Sequence, residues 1–312
     1  MAESTPPIEN VTIFNSPNFN VSDDSGKANF PLLQGILNAP HGIIYGDNTY
    51  QNSADVGEIG LKEIVFPPDT FASGSPVYWQ KANYNFTIRA MRVRCIGGGG
   101  GGGGVGSNLD TEAKAGSGGS AGSYAERWIT NMITVPPFVV IRIGAGGVGI
   151  TGSAGQNGGT SQFSTGNPAV DITAVGGTGG NPGDTTDSEH FRVVSGVKTV
   201  NGANSGYITF DGEGSQNALS FGTENQATNL TPAVKYSMAN ASNGGSGFYG
   251  AGGLGATAMT STTTQVGSVG GNGTGYGSGG GGAAVAGGTS NPSVSYAGGN
   301  GSDGVVILEL WG

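Results

Sequence analysis

The sequence predicts a mainly β protein with little regular secondary structure. Short strands continue into a packed bundle of polyglycine-II helices, behind a small N-terminal attachment module. Three observations carry this expectation. Glycine is segregated: the first 90 residues hold 7 of the 64 glycines and the rest of the chain holds 57. Strand-like runs feed directly into glycine, as where Met91–Ile96 precedes eight consecutive glycines, Gly97–Gly104. Charged residues make up only 11% of the chain and hydrophobic residues 35%, a balance that opposes the disorder a glycine-rich chain otherwise implies.

Residues 1–85 read as a separate module with scattered prolines and short apolar runs at 11–14, 32–37, 42–45 and 61–66. No apolar period of helical spacing lasts beyond about two turns, so short strands and turns are expected, with one short helix at 32–38. The glycine-rich part spans 86–312. Phe86–Arg89 and Met91–Ile96 open it as strands, the second alternating apolar and basic residues so that one face is buried. Further strands are expected at 124–130, 138–143, 160–164 and 170–175, and the last at Val305–Trp311.

Six to eight glycine tracts follow from the spacing, at 97–106, 116–122, 144–159, 176–183, 201–206, 244–255, 270–288 and 297–304. A single glycine run has a high ordering cost, about 1–2 kcal/mol per residue fixed. Polyproline-II geometry leaves every backbone N–H and C=O free, and glycine lets such helices approach closely enough to bond one another. Each bond nets about 0.5–1.5 kcal/mol, so only a packed array repays the ordering. The Gly-X-Y period of collagen is absent. The run Cys95–Gly106 is therefore expected to be a buried, ordered rod.

Composition excludes several function classes. The formal charge of −9 is spread thinly, without the Lys/Arg clusters that nucleic acid requires, so no nucleic-acid partner is expected. The single cysteine, Cys95, permits no internal disulfide and reads as a small buried hydrophobe. The N-terminal MAESTPPIEN has neither a basic region nor an apolar core, so no secretory signal is expected, and no run reaches the length of a membrane span. His41 and His190 lie in separate turn or loop sequences. No triad or carboxylate pair can be assembled, and the expectation is a protein without catalytic residues, cofactor or metal.

Two glycine motifs invite chemistry. Gly144–Gly149 matches G-x-G-x-x-G, but the residues after it, ITGSAGQNGG, cannot form the helix that would hold a pyrophosphate. Gly298–Val306 fits one nonapeptide of the calcium-binding β-roll; calcium there sits between stacked turns, and only one copy is present. The stretch reads instead as a tight turn in which Asp303 caps backbone N–H groups.

Between the tracts lie polar, irregular segments at 107–115, 184–200, 207–243, 256–269 and 289–296, studded with aromatics. Exposed aromatics give rigid contact area at low entropic cost; the other reading is that they fold back to cover the glycine bundle. His190, Phe191, Phe210, Phe221, Tyr236 and Tyr296 are the candidate receptor-binding residues. Tyr124, Trp128, Phe138 and Trp311 are expected to be packed.

The ordered succession IGGGGGGGG, GGSAGSYAERWI, VVIRIGAGGVG, GGTSQF, ITAVGG and GGNGSDGVVILELW resembles the glycine-rich domain of phage tail-fibre and receptor-binding proteins. Its distal glycine bundle is similar to the tip adhesin of T-even phage long tail fibres. The resemblance implies layered polyglycine-II helices whose connecting loops contact a bacterial surface receptor, an outer-membrane protein or a polysaccharide. It also implies a virion location at the tail or fibre tip, contacts with other virion tail or fibre proteins, and synthesis in the host cytoplasm without a signal peptide. A homotrimer is the expected assembly, with a single copy capping a fibre as the other possibility. The competing function is a structural virion component, such as a decoration or spacer protein, without receptor binding. An ice-binding protein would need short loops and regular Thr or Ala faces, which the long segments here do not provide.

Overall fold

The computed structural model describes residues 43–44, 50–51, 61–66, 76–84, 86–106, 113–183, 192–197, 208–222, 237–260, 265–287 and 294–312. The chain divides into two compact units, Met1–Gly57 and Glu58–Gly312. In the first, β1 (Ile43–Ile44) pairs antiparallel with β2 (Tyr50–Gln51). The short helix expected at 32–38 and the apolar run at 11–14 lie outside the described residues.

The second unit is mainly β, with antiparallel sheets. Its strands run β3 (Leu61–Phe66), β4 (Val77–Gln80), β5 (Ala90–Ile96), β6 (Ala113–Ala115), β7 (Tyr124–Ile129) and β8 (Phe138–Arg142). There follow β9 (Ser161–Ser164), β10 (Ile172–Ala174), β11 (Arg192–Val194), β12 (Ile208–Phe210), β13 (Ala218–Gly222) and β14 (Ser237–Asn240). The last are β15 (Thr257–Thr260), β16 (Val266–Ser268), β17 (Ala284–Ala286) and β18 (Val305–Trp311). Strands β3 and β4, read above with the N-terminal residues, belong to this unit. Phe86–Arg89 is not a strand, although Ile88 is buried and the Arg89 N–H bonds the Trp311 carbonyl at 2.7 Å.

A five-stranded sheet in the order β12-β7-β5-β18-β3 faces a four-stranded sheet in the order β10-β9-β8-β4. Period-2 alternation decides which side chains meet between them. From β5, Met91, Val93 and Cys95 point inward while Arg92 and Arg94 point out; from β18 the inward residues are Val306, Leu308 and Leu310. Phe163, Ile141 and Ile172 meet them from the other sheet, all fully buried. Each side chain of that size stabilises by about 1.5–3 kcal/mol.

A second pair of sheets has a different core. The order β11-β13-β14-β15 packs on β16-β17-β6, and the buried residues between them are alanines: Ala115, Ala218, Ala239, Ala258, Ala284 and Ala286. Leucine-sized side chains fill the usual gap of about 10 Å between sheets, whereas methyl groups fill only a narrower one. The segments 184–200, 207–243 and 256–269, read above as irregular, thus contain β11 to β16 wherever they are described. Alternation of Ala or Ser with larger residues, as in SMAN (Ser237–Asn240) and TAMT (Thr257–Thr260), sets their inward face.

Glycine segments join the two sheet pairs. Gly97–Gly104 leaves β5 and every residue in it is buried. Its N–H groups are aimed in three directions with a three-residue period. Gly97, Gly100 and Gly103 donate to the carbonyls of Ser123, Ser120 and Ser117; Gly98, Gly101 and Gly104 donate to Gly159, Gln156 and Ser153; Gly99 and Gly102 donate to Ser302 and Gly299. Its carbonyls accept from other neighbours, including Gly177, Gly180 and Gly183 with the same period, and Gly280 and Ala283. The segment is thus bonded on all sides. A Cβ on Gly97, Gly100 or Gly103 would come within 2.1 Å of the carbonyl oxygens of Val175, Thr178 or Asn181, so close approach, not backbone freedom, requires glycine there. Serine hydroxyls join the lattice: Ser120 and Ser117 accept from the N–H groups of Thr178 and Asn181 at 2.7 and 2.8 Å.

Candidate functional site

The site grows from an edge strand. All three residues of β12 are exposed, and Phe210 lies opposite Tyr124 of β7. Beyond β12 the backbone runs against the 121–122 segment: the Ala121 N–H bonds the Glu213 carbonyl at 2.9 Å, and a Cβ on Gly212 would lie 2.0 Å from the Ala121 oxygen. That close approach fixes Asp211 and Glu213 on either side of a glycine. Facing them, the Gly245 N–H bonds the Gly119 carbonyl at 2.9 Å, after which residues 246–249 turn back through bridges Gly247↔Gly250 and Tyr249↔Tyr276. The Ser246 N–H closes the gap, donating to Glu213 Oε2 at 2.8 Å.

The two segments enclose a cleft of about 280 Å³ lined by Tyr124, Phe210, Asp211, Glu213, Ser246 and Phe248 over a glycine floor. Tyr124 and Phe248 stack at 4.3 Å between centroids, and Phe210 lies 6.3 Å from Phe248 with ring planes 18° apart. Tyr249 meets Phe248 edge-on at 5.1 Å. Tyr124 is the buried base of this cluster; Phe210 and Phe248 are 53% and 55% exposed.

Behind the cleft, the outer face of the five-stranded sheet is braced by charge. The Tyr124 hydroxyl donates to Glu126, and Arg92 grips the same carboxylate through Nε and Nη2, each at 2.8 Å. Burial pulls the Glu126 carboxyl upward, but the hydrogen bonds from Arg92 and Tyr124 outweigh it, so its pKa lies below the usual carboxylate range. Burial, reinforced by the bond to Glu126, raises the Tyr124 phenol. Arg92 also lies 5.6 Å from the Trp128 ring centroid, and Trp128 stacks on Trp311 at 4.7 Å. Arg94 bonds Glu309 and, at 2.6 Å, the Tyr249 hydroxyl.

A family model described as a glycine-rich domain matches residues 79–311, from β4 to the last residue of β18. The chain belongs to the glycine-rich domain family. The match takes in the second sheet pair, the first from within β4 onward, and every described glycine segment between them. Strand β3 lies outside it, although β3 pairs with β18 from Val306↔Phe66 to Trp311↔Leu61. No curated protein matches the chain.

Within the glycine-rich domain the candidate residues separate. Phe210 lines the cleft. Phe221 is exposed on the outer face of β13, opposite Met238. Tyr296 is half-buried against Val105, Ala283 and Val285, and its backbone exchanges both hydrogen bonds with Val105. A Cβ on Gly267 would touch the Tyr296 ring at 2.1 Å, so this ring covers glycine backbone. His190, Phe191 and Tyr236 lie outside the described residues. Sequence reasoning did not single out Asp211 or Glu213, and it counted Phe248 and Tyr249 among the aromatics between strands without placing them among the receptor-binding candidates; the local signal they carry is an aromatic pair inside a glycine tract, with no core to fill.

Of the aromatics expected to be packed, Trp128 stacks on Trp311 yet is 46% exposed, and Phe138 is 60% exposed, because alternation in β7 and β8 turns their neighbours Ile129, Val139 and Ile141 inward instead. Tyr124 is buried as expected. Cys95 is fully buried in β5, and burial pushes its thiol far above the usual range. Asp303 accepts a hydrogen bond from the Gly146 N–H, as a capping residue does. Among the described residues no group of three or more His, Cys, Asp or Glu is placed to hold a metal ion. Residues 150–159, after the G-x-G-x-x-G match, contain no helix.

Proposed function

We propose that the chain is an adhesin at the tip of a phage fibre or tail, binding a bacterial surface receptor through side chains displayed on a rigid glycine scaffold. The observation that carries this reading is the exposure of Phe210 and Phe248 at the rim of a cleft whose backbone is fixed on both sides by glycine-mediated close approach. Aromatic rings held in this way offer contact area with little left to order on binding. Membership of the glycine-rich domain family is consistent with it.

The glycine segments are read as polyglycine-II helices. In support, the donors of Gly97–Gly104 rotate through three directions, as a left-handed helix of three residues per turn requires. On this reading the bundle is inert support, the N-terminal unit Met1–Gly57 attaches to other virion tail or fibre proteins, and three copies associate. Recognition involves neither cofactor nor catalysis. The receptor is an outer-membrane protein or a surface polysaccharide.

Adsorption of labelled protein to intact bacteria tests the reading. Saturable binding that competes with whole phage is expected, and exchange of residues 207–243 for the matching segment of a related fibre should redirect host range. Protein that enters particles but does not bind cells would mark a structural virion component instead.

A further inference from the structure

The cleft between β12 and the 246–249 turn is asymmetric in charge. Among its nine lining residues are two carboxylates, Asp211 and Glu213, three aromatic rings, and no Lys, Arg or His. Ring faces carry negative potential as carboxylates do. The two arginines behind it are committed elsewhere: Arg92 holds Glu126 through Nε and Nη2, and Arg94 bonds Glu309 and the Tyr249 hydroxyl and lies 3.9 Å from Glu63. Glu213 spends Oε2 on the Ser246 N–H, which leaves Oε1, and Asp211 is exposed at the rim. A sugar hydroxyl both donates and accepts, so a saccharide site needs donors as well as acceptors. This lining supplies acceptors and π faces, with the Ser246 hydroxyl its one side-chain donor besides Tyr124, whose hydroxyl is engaged by Glu126.

We propose that this cleft binds a cationic side chain, lysine or arginine, presented by a protein receptor. The alkyl stem lies along the exposed faces of Phe210 and Phe248, and the charged head sits between Asp211 and Glu213. The net charge of −9 favours approach of such a group over an anionic one. The proposal rests on the adhesin reading for its partner, but the cleft chemistry can be measured without that reading.

The test is an NMR titration of the full chain with Nα-acetyl-lysine methylamide. Its controls are the Nα,Nε-diacetyl analogue, which lacks the charge, and N-acetylglucosamine. Saturable shifts at the amides of Gly212, Ser246 and Gly247 are expected with the cationic probe, with a dissociation constant on the order of millimolar. Asp211→Asn combined with Glu213→Gln should weaken it at least tenfold, as should the separate variant Phe248→Ala; both alter rim positions and keep native amide dispersion. Equal binding of the diacetyl analogue, binding of the sugar alone, or no saturable shift with any probe overturns the cation site.

In parallel, the double variant should adsorb to host cells at least tenfold more weakly. If wild-type and double variant adsorb equally, the cation proposal fails while the adhesin reading stands. If wild-type protein does not adsorb, the adhesin reading fails, and the titration alone decides whether the cleft takes a cation.

Discussion

A methyl group on Gly102 would sit 1.9 Å from the carbonyl oxygen of Gly281. The contact partner is backbone, so no side chain can rotate away to relieve it. The same holds along the whole run from Gly97 to Gly104, whereas a Cβ on Gly106, two residues beyond, would meet nothing within 4 Å. Gly102→Ala should therefore destabilise by more than about 3 kcal/mol or abolish folding, and Gly106→Ala should stay within about 0.5 kcal/mol of wild type. Urea unfolding of the two variants side by side measures the difference; equal stability would show that the backbone packed around Gly102 yields to a methyl group.

Alternation in the first sheet pair gives a second contrast. Phe163 is fully buried between the sheets and Phe138 is largely exposed. Phe163→Ala should cost about 3–5 kcal/mol through lost burial and an unfilled cavity, and Phe138→Ala about 0.5 kcal/mol or less. Thermal unfolding of both variants checks the assignment of inward and outward faces.

Stability should fall in acid partly through Glu126. Its folded pKa is depressed, so its contribution is complete above the ordinary carboxylate value of 4.5 and disappears as pH drops through the lowered folded value. Glu126→Gln should lose about 1–3 kcal/mol at neutral pH, because Arg92 and Tyr124 are left with a weaker acceptor. The same variant should show a shallower decline below the ordinary value. Denaturant midpoints measured from neutral to acid pH read both effects; parallel curves would remove Glu126 from the acid response.

Cys95 lies within β5, paired to Ala125 on one side and Val306 on the other. A buried thiol held in its protonated form does not react. Iodoacetamide at mildly alkaline pH should leave the native protein unmodified and alkylate it fully in denaturant, as intact-mass spectrometry would show. Labelling without denaturant would mean that β5 and β18 separate readily.

The strands with strong alternation were legible in the chain itself. Met91–Ile96 is β5 short of one residue, and the runs at 124–130, 138–143 and 160–164 contain β7, β8 and β9 almost to the residue. The second sheet pair was not legible, because its inward face is built from alanine, serine and threonine, whose alternation with methionine or asparagine carries little hydropathy contrast. Burial there comes from neighbouring sheets and glycine backbone, which no local window contains. The cleft was half legible for the same reason. Phe210 could be named as an exposed aromatic, but Asp211 and Glu213 gain their setting from the Gly212 contact with Ala121, and Phe248 from the turn at Gly247–Gly250.

The three-residue rotation of donors along Gly97–Gly104 makes the segment a ruler graduated in triplets. Inserting or deleting one or two residues within it would turn every later N–H by about 120° per residue toward the wrong neighbour, on a rod whose every side is occupied. Only changes of three residues keep the aim. Length variation in such a chain is thereby channelled to the ends of the rods, where a connection can grow by any number of residues without disturbing its support.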